Sequence, residues 1–85
     1  MFDSDNPADL VANCLADRAR GMGMLVDCYH NTAGECCMLL GGRRGQHFMM
    51  VRRDLVVDLN GVRVDLRQPD SLDHLLAVLY RLSQA

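Results

Sequence analysis

The sequence predicts an α+β fold: an N-terminal helix, an antiparallel meander of four to five strands and a C-terminal helix, with the helices packed on the sheet. Three features carry that expectation. A capped helical segment opens the chain, short apolar runs separated by Gly- and Asn-rich turns fill its middle, and leucines at helical spacing close it. Its 85 residues suit one α+β domain over 1–85.

The first helix is expected over residues 7–20. Asn6 is a good N-cap, Pro7 fits the first helical position, and Asp9 places negative charge at the positive end of the helix dipole. Leu10, Val11, Cys14 and Leu15 form its apolar stripe, with Arg18 at the same spacing, and Gly21 suits a left-handed C-cap. Strands follow from Met24 to His30, Glu35 to Leu40 and His47 to Arg52, separated by an Asn31–Gly34 turn and a Gly-rich loop over 41–45. Arg53-Asp54 reads either as a tight turn or as a bulge. Leu55–Leu59 and Val62–Leu66 flank Asn60-Gly61, the dipeptide that best accepts positive φ at both turn positions. That turn sets Leu59 against Val62, Val57 against Val64 and Leu55 against Leu66, with Asp58 and Arg63 paired on the opposite face. The last helix starts near Asp70, a candidate cap with Asp73 three residues on, and carries Leu72, Leu75, Leu76, Leu79 and Leu82.

Composition narrows the function. Nine basic and eleven acidic side chains give a net charge of -2, which disfavours a dedicated nucleic-acid binder. Every basic residue is arginine, and Lys, Ile and Trp are missing. This fits the codon usage of a GC-rich bacterial or phage genome. The acidic start Met1-Phe2-Asp3-Ser4-Asp5 precedes no signal-peptide core, and no apolar run nears the ~20 residues of a membrane span. A cytoplasmic location without membrane contact is therefore expected, with Cys14, Cys28, Cys36 and Cys37 reduced.

The first three strands carry more apolar surface than one sheet face needs. If His30 pairs with Glu35, then Val26, Cys28, Cys37 and Leu39 share a face with Met24, and Leu25, Tyr29, Cys36, Met38 and Leu40 occupy the other. The third strand is also mixed, with Phe48 and Met50 on one side and Met49 and Val51 on the other. Either the helices divide between the faces and bury everything, or both cover one face and leave an adaptable, Met-containing patch for another chain. The second arrangement makes Leu25, Tyr29, Cys36, Met38, Leu40 and Met49 a protein interface, with a homodimer as the expected assembly. On that reading Met38→Asp or Leu40→Asp disperses the oligomer. On the buried reading either change unfolds the chain.

Cys28, His30, Cys37 and His47 are the weak metal candidates, since alternation brings three of them toward one face. Their spacing lacks paired C-x2-C knuckles, so a core role is expected and no cofactor is assigned. Arg43, Arg44, Arg52 and Arg53 group around the Gly-rich loop and third strand and suit contact with an anion or an acidic partner. Only Phe48 offers a ring beside them, which disfavours stacking on single strands. For catalysis, a Cys–His pair is the sole candidate, and no phosphate loop, dinucleotide glycine pattern or nucleophile elbow accompanies it. The expected function is that of a non-enzymatic, protein-binding accessory factor of the inhibitor, immunity, chaperone or phage counter-defence kind, acting through an apolar sheet face. The alternative is a small regulator that binds nucleic acid through the arginine loop at 41–45.

Overall fold

The computed structural model describes residue 2 and residues 6–84. Its order is α1 (Pro7–Gly21), β1 (Leu25–His30), β2 (Cys36–Gly41), β3 (Gln46–Val51), β4 (Val56–Leu59), β5 (Val62–Asp65) and α2 (Ser71–Gln84). The five strands form one antiparallel sheet whose spatial order is the sequence order. The fold is therefore α+β, as the sequence predicts.

Local chemistry accounts for most element boundaries. The Asn6 side chain accepts from the Asp9 amide at 3.0 Å, satisfying one of the free N–H groups at the start of α1. The helix runs through Gly21, is capped at Met22 (φ -86°), and releases the chain at Gly23, whose φ of +89° is left-handed. The expected Gly21 cap thus sits two residues later. Asn60 (φ +52°) and Gly61 (φ +86°) make the tight turn between β4 and β5, and the ladder pairs Leu59 with Val62, Asp58 with Arg63 and Val57 with Val64. Arg53-Asp54 lies in a turn closed by the Leu55 amide on the Arg52 carbonyl at 3.0 Å, with Leu55 itself left-handed at φ +65°. At α2 the capping expectation fails. Asp70 has φ +63° and supplies its carbonyl to the His74 amide, and among the described residues neither Asp70 nor Asp73 makes a side-chain hydrogen bond.

The β1–β2 register differs from the expected one by a single residue: His30 pairs with Cys36, Cys28 with Met38 and Val26 with Leu40. The cause is the turn. Asn31 accepts from the Ala33 and Glu35 amides through its side chain and donates its own amide to the Glu35 carbonyl, so Glu35 closes the hairpin. The loop is then three residues ending in left-handed Gly34 (φ +79°), a common hairpin form. Because side chains alternate, this slip moves Cys36, Met38 and Leu40 onto the face of Val26, Cys28 and His30.

Both helices lie on that same face. Cys36, Met38, Leu40, Met49, Val51, Val57, Leu59 and Val64 are buried beneath them in one core with Leu15, Leu75 and Leu79. Each large apolar side chain so enclosed contributes roughly 1.5–3 kcal/mol. The face α1 turns inward is an alanine row, Ala8, Ala12, Ala16 and Ala19, joined by Leu15. Small side chains let the helix settle closely on the bulky Met38 and Met49. The expected stripe of Leu10, Val11 and Cys14 is rotated toward α2 instead, and Leu10 and Leu72 stay exposed. No described helix is long and apolar enough to cross a membrane.

Candidate interaction face

With both helices on one side, the opposite sheet face has no element over it. Alternation and the observed register place Leu25, Asp27 and Tyr29 of β1, Cys37 and Leu39 of β2, Gln46, Phe48 and Met50 of β3, Val56 and Asp58 of β4, and Arg63 of β5 on that face. Its apolar residues span β1, β2 and β3, with exposed Asp27 set between Leu25 and Tyr29. Leu25 is 80% exposed, Tyr29 44% and Phe48 37%, with Leu39 and Met50 half-buried between them. Leu25 stands over Gly41, its ladder partner, where an added Cβ would lie 3.3 Å from the leucine's own Cβ. Tyr29 and Cys37 face each other across β1 and β2, and burial pushes both groups above their ordinary pKa values. Toward β4 and β5 the face turns polar, where Arg63 Nε lies 3.8 Å from Asp58.

Of the six residues expected at an interface, Leu25 and Tyr29 are on this open face. Cys36, Met38, Leu40 and Met49 are not: all four are buried under the helices. The one-residue slip at the first hairpin relocates the three from β2. Met49 follows them, being paired with Met38 across β2 and β3. Phe48, Leu39 and Met50 take their place. The alternation of β3 already separated Phe48 and Met50 from Met49.

The arginines divide into two places. Arg43 and Arg44 are exposed in the β2–β3 loop and make no ion pair among the described residues, while Arg52 and Arg53 lie beyond the other end of β3. Six strand residues, roughly 20 Å of chain, separate the two pairs. Arg52 is engaged with Asp54 at 3.3 Å and Glu35 at 3.9 Å. Arg53 lays its guanidinium against Gly34, where any Cβ would meet Nη2 at 2.6 Å.

The four weak metal candidates do not come together. Cys28 and His30 share the helix-side face, Cys37 points to the open one, and His47 Nδ1 lies 3.0 Å from the Asn60 side-chain amide at the far end of the sheet. A different group does converge. Asp9 of α1, His30 of β1 and Cys36 of β2 bring one ligand-capable atom each within 4.8 Å of one another. Cys36 donates its thiol to Asp9 Oδ1 at 2.9 Å, and His30 Nε2 lies 3.5 Å from that oxygen and 3.7 Å from Cys36 Sγ. The thiol's hydrogen bond holds the Asp9 carboxyl below its ordinary range against the opposing effect of burial, and His30 adds to the lowering. Burial, reinforced by Asp9, pushes the Cys36 thiol up to about 12. A thiol tied to a carboxylate in this way is a poor nucleophile, because the neighbouring negative charge opposes thiolate. Sequence reasoning missed Asp9 because its pairing with Cys36 spans 27 residues and depends on where α1 docks.

An apolar concavity of about 420 Å³ is lined by Leu10, Val11, Cys14, Leu15 and Arg18 of α1, Leu55 and Leu66, and Leu72 and Leu76 of α2. Compared with protein-family models, with curated proteins and with the solved structures, the chain matches none.

Proposed function

We propose that this chain is a non-enzymatic binding protein that works through the open face of its sheet, and that a second copy of the chain is the first occupant of that face. The supporting observation is the uncovered apolar surface running from Leu25 and Tyr29 through Leu39 to Phe48 and Met50. Exposed apolar surface of this kind marks contact sites, and an 85-residue chain gains more than a large one from covering it. A two-fold axis lying in the interface and perpendicular to the strands sets β1–β3 of one copy on β1–β3 of the other, so the same patch meets itself. Toward β4 and β5, Asp58 and Arg63 already neutralise each other within the chain, whereas exposed Asp27 makes no ion pair among the described residues and has to keep solvent contact in the assembly. The sheets then pack about 10 Å apart, aligned to within roughly 30°.

Sedimentation of the full chain over a range of concentrations tests this. A dimer mass that falls to monomer on dilution is expected. A monomer at every concentration that also binds no apolar dye would overturn it. Nucleic acid is the competing occupant, at Arg43 and Arg44, and it gives a different result: affinity that falls steeply with salt and disappears in Arg43→Ala/Arg44→Ala.

A further inference from the structure

We infer that Asp9, His30 and Cys36 form a binding site for a single borderline-soft divalent cation of the Zn²⁺ type, which ties the first turn of α1 to β1 and β2. The inference stands on the geometry of this group and is independent of the open sheet face.

The three donors are a carboxylate oxygen, an imidazole nitrogen and a sulfur, the set that zinc takes at bond lengths of about 2.0–2.3 Å. Tetrahedral bonds of that length hold neighbouring ligand atoms roughly 3.3–3.6 Å apart. The separations here are 2.9, 3.5 and 3.7 Å, so small side-chain adjustments complete three edges of the tetrahedron. Hard cations such as Mg²⁺ and Ca²⁺ prefer all-oxygen surroundings, which this sulfur and nitrogen pair does not offer.

The surroundings hold the donors in place. Asp9 is fixed at the start of α1, where its amide donates to the Asn6 cap. Cys36 is locked in the central ladder between His30 and Val51. The Phe2 ring meets the His30 ring edge-on, centroids 5.0 Å apart, and Phe2 is itself clasped by Asn13, which accepts from its amide at 3.0 Å and donates to its carbonyl at 2.9 Å. Asp9 is also the only buried side-chain carboxylate among the described residues, and a cation would add positive charge beside it to the Cys36 and His30 contacts it already has. His30, 43% exposed, is the member open to solvent, so an ion can enter from its side and keep water as a fourth ligand. On binding, the Cys36 thiol proton passes to solvent as the sulfur becomes a thiolate ligand.

The test is titration of the metal-free full chain with Co²⁺, followed by displacement with Zn²⁺. The expected result is a saturable sulfur-to-cobalt charge-transfer band at one ion per chain that Zn²⁺ abolishes. Cys36→Ser should remove the band, whereas Cys28→Ser and Cys37→Ser should keep it. His30→Gln, a change at a partly exposed side chain, should weaken binding by at least about tenfold and cancel any rise in thermal midpoint with Zn²⁺. No band, a band that survives Cys36→Ser, or binding unchanged by His30→Gln would each overturn the assignment.

Discussion

Leu25→Asp is the perturbation that separates a working sheet face from an inert one. Leu25 is 80% exposed and stands opposite Gly41, so the folded monomer should lose no more than about 1 kcal/mol. Full burial of a leucine is worth about 1.5–3 kcal/mol, and covering the exposed four-fifths returns about 1.2–2.4 kcal/mol per copy. An isologous dimer uses the side chain twice, which makes about 2.4–5 kcal/mol. At 1.4 kcal/mol per factor of ten, the dissociation constant should rise by about 50- to 3,000-fold, with the desolvation of two carboxylates adding to the loss. Sedimentation equilibrium on wild type and variant gives the constants, and circular dichroism checks that the variant is folded. A folded variant that dimerises as tightly as wild type would refute the reasoning, because it would place the contact elsewhere.

Met38→Asp should behave in the opposite way, since Met38 is fully buried: it strands a charge in the core, and loss of the cooperative transition in urea is expected rather than a folded monomer. Gly61→Ala should cost about 1–2 kcal/mol by chemical denaturation, and wholly through backbone conformation, because its φ is +86° and nothing lies within 4 Å of the added methyl. Asp65 is held below its ordinary 3.8 by hydrogen bonds from Arg67, so its contribution to stability is present above that value and fades as pH falls toward the lowered one. Asp65→Asn should therefore flatten the decline of thermal midpoint with acid below about pH 4, and an unchanged slope would remove the pair from the account.

Much of the fold was legible because its signals are local. The Asn6 cap, the Asn60-Gly61 turn and the Val57–Val64, Asp58–Arg63 and Leu59–Val62 pairs each depend on neighbours within a few residues and appear where the sequence places them. The expected Leu55–Leu66 pair falls outside the ladder because Leu55 is left-handed. Errors arose where a single position controls many. Nothing in Asn31–Gly34 alone announces a three-residue loop, yet the left-handed Gly34 decides which face of β2 looks inward and hence whether Met38 is core or surface. The inward stripe of α1 is not the larger apolar residues Leu10, Val11 and Cys14, because a row of alanines is what allows a helix to lie close on methionines. The side on which α2 packs, and the meeting of Asp9 with Cys36, are tertiary outcomes that no periodicity encodes.

The identity of spatial and sequential strand order bears on how the chain reaches this structure. Every strand pairs with its neighbour in sequence, so the sheet can zip from hairpin to hairpin with small loop-closure cost at each step, which favours rapid folding for a sheet protein. The contacts of α1 with β2 and β3 span longer intervals than most strand pairings, those with α2 longer still, and none of them closes a local hairpin. Until α1 docks, both faces of β1–β3 stand exposed, the methionines Met38 and Met49 on one side and Leu25, Tyr29 and Phe48 on the other, so the arrival of the first helix is what leaves this sheet with a single open face.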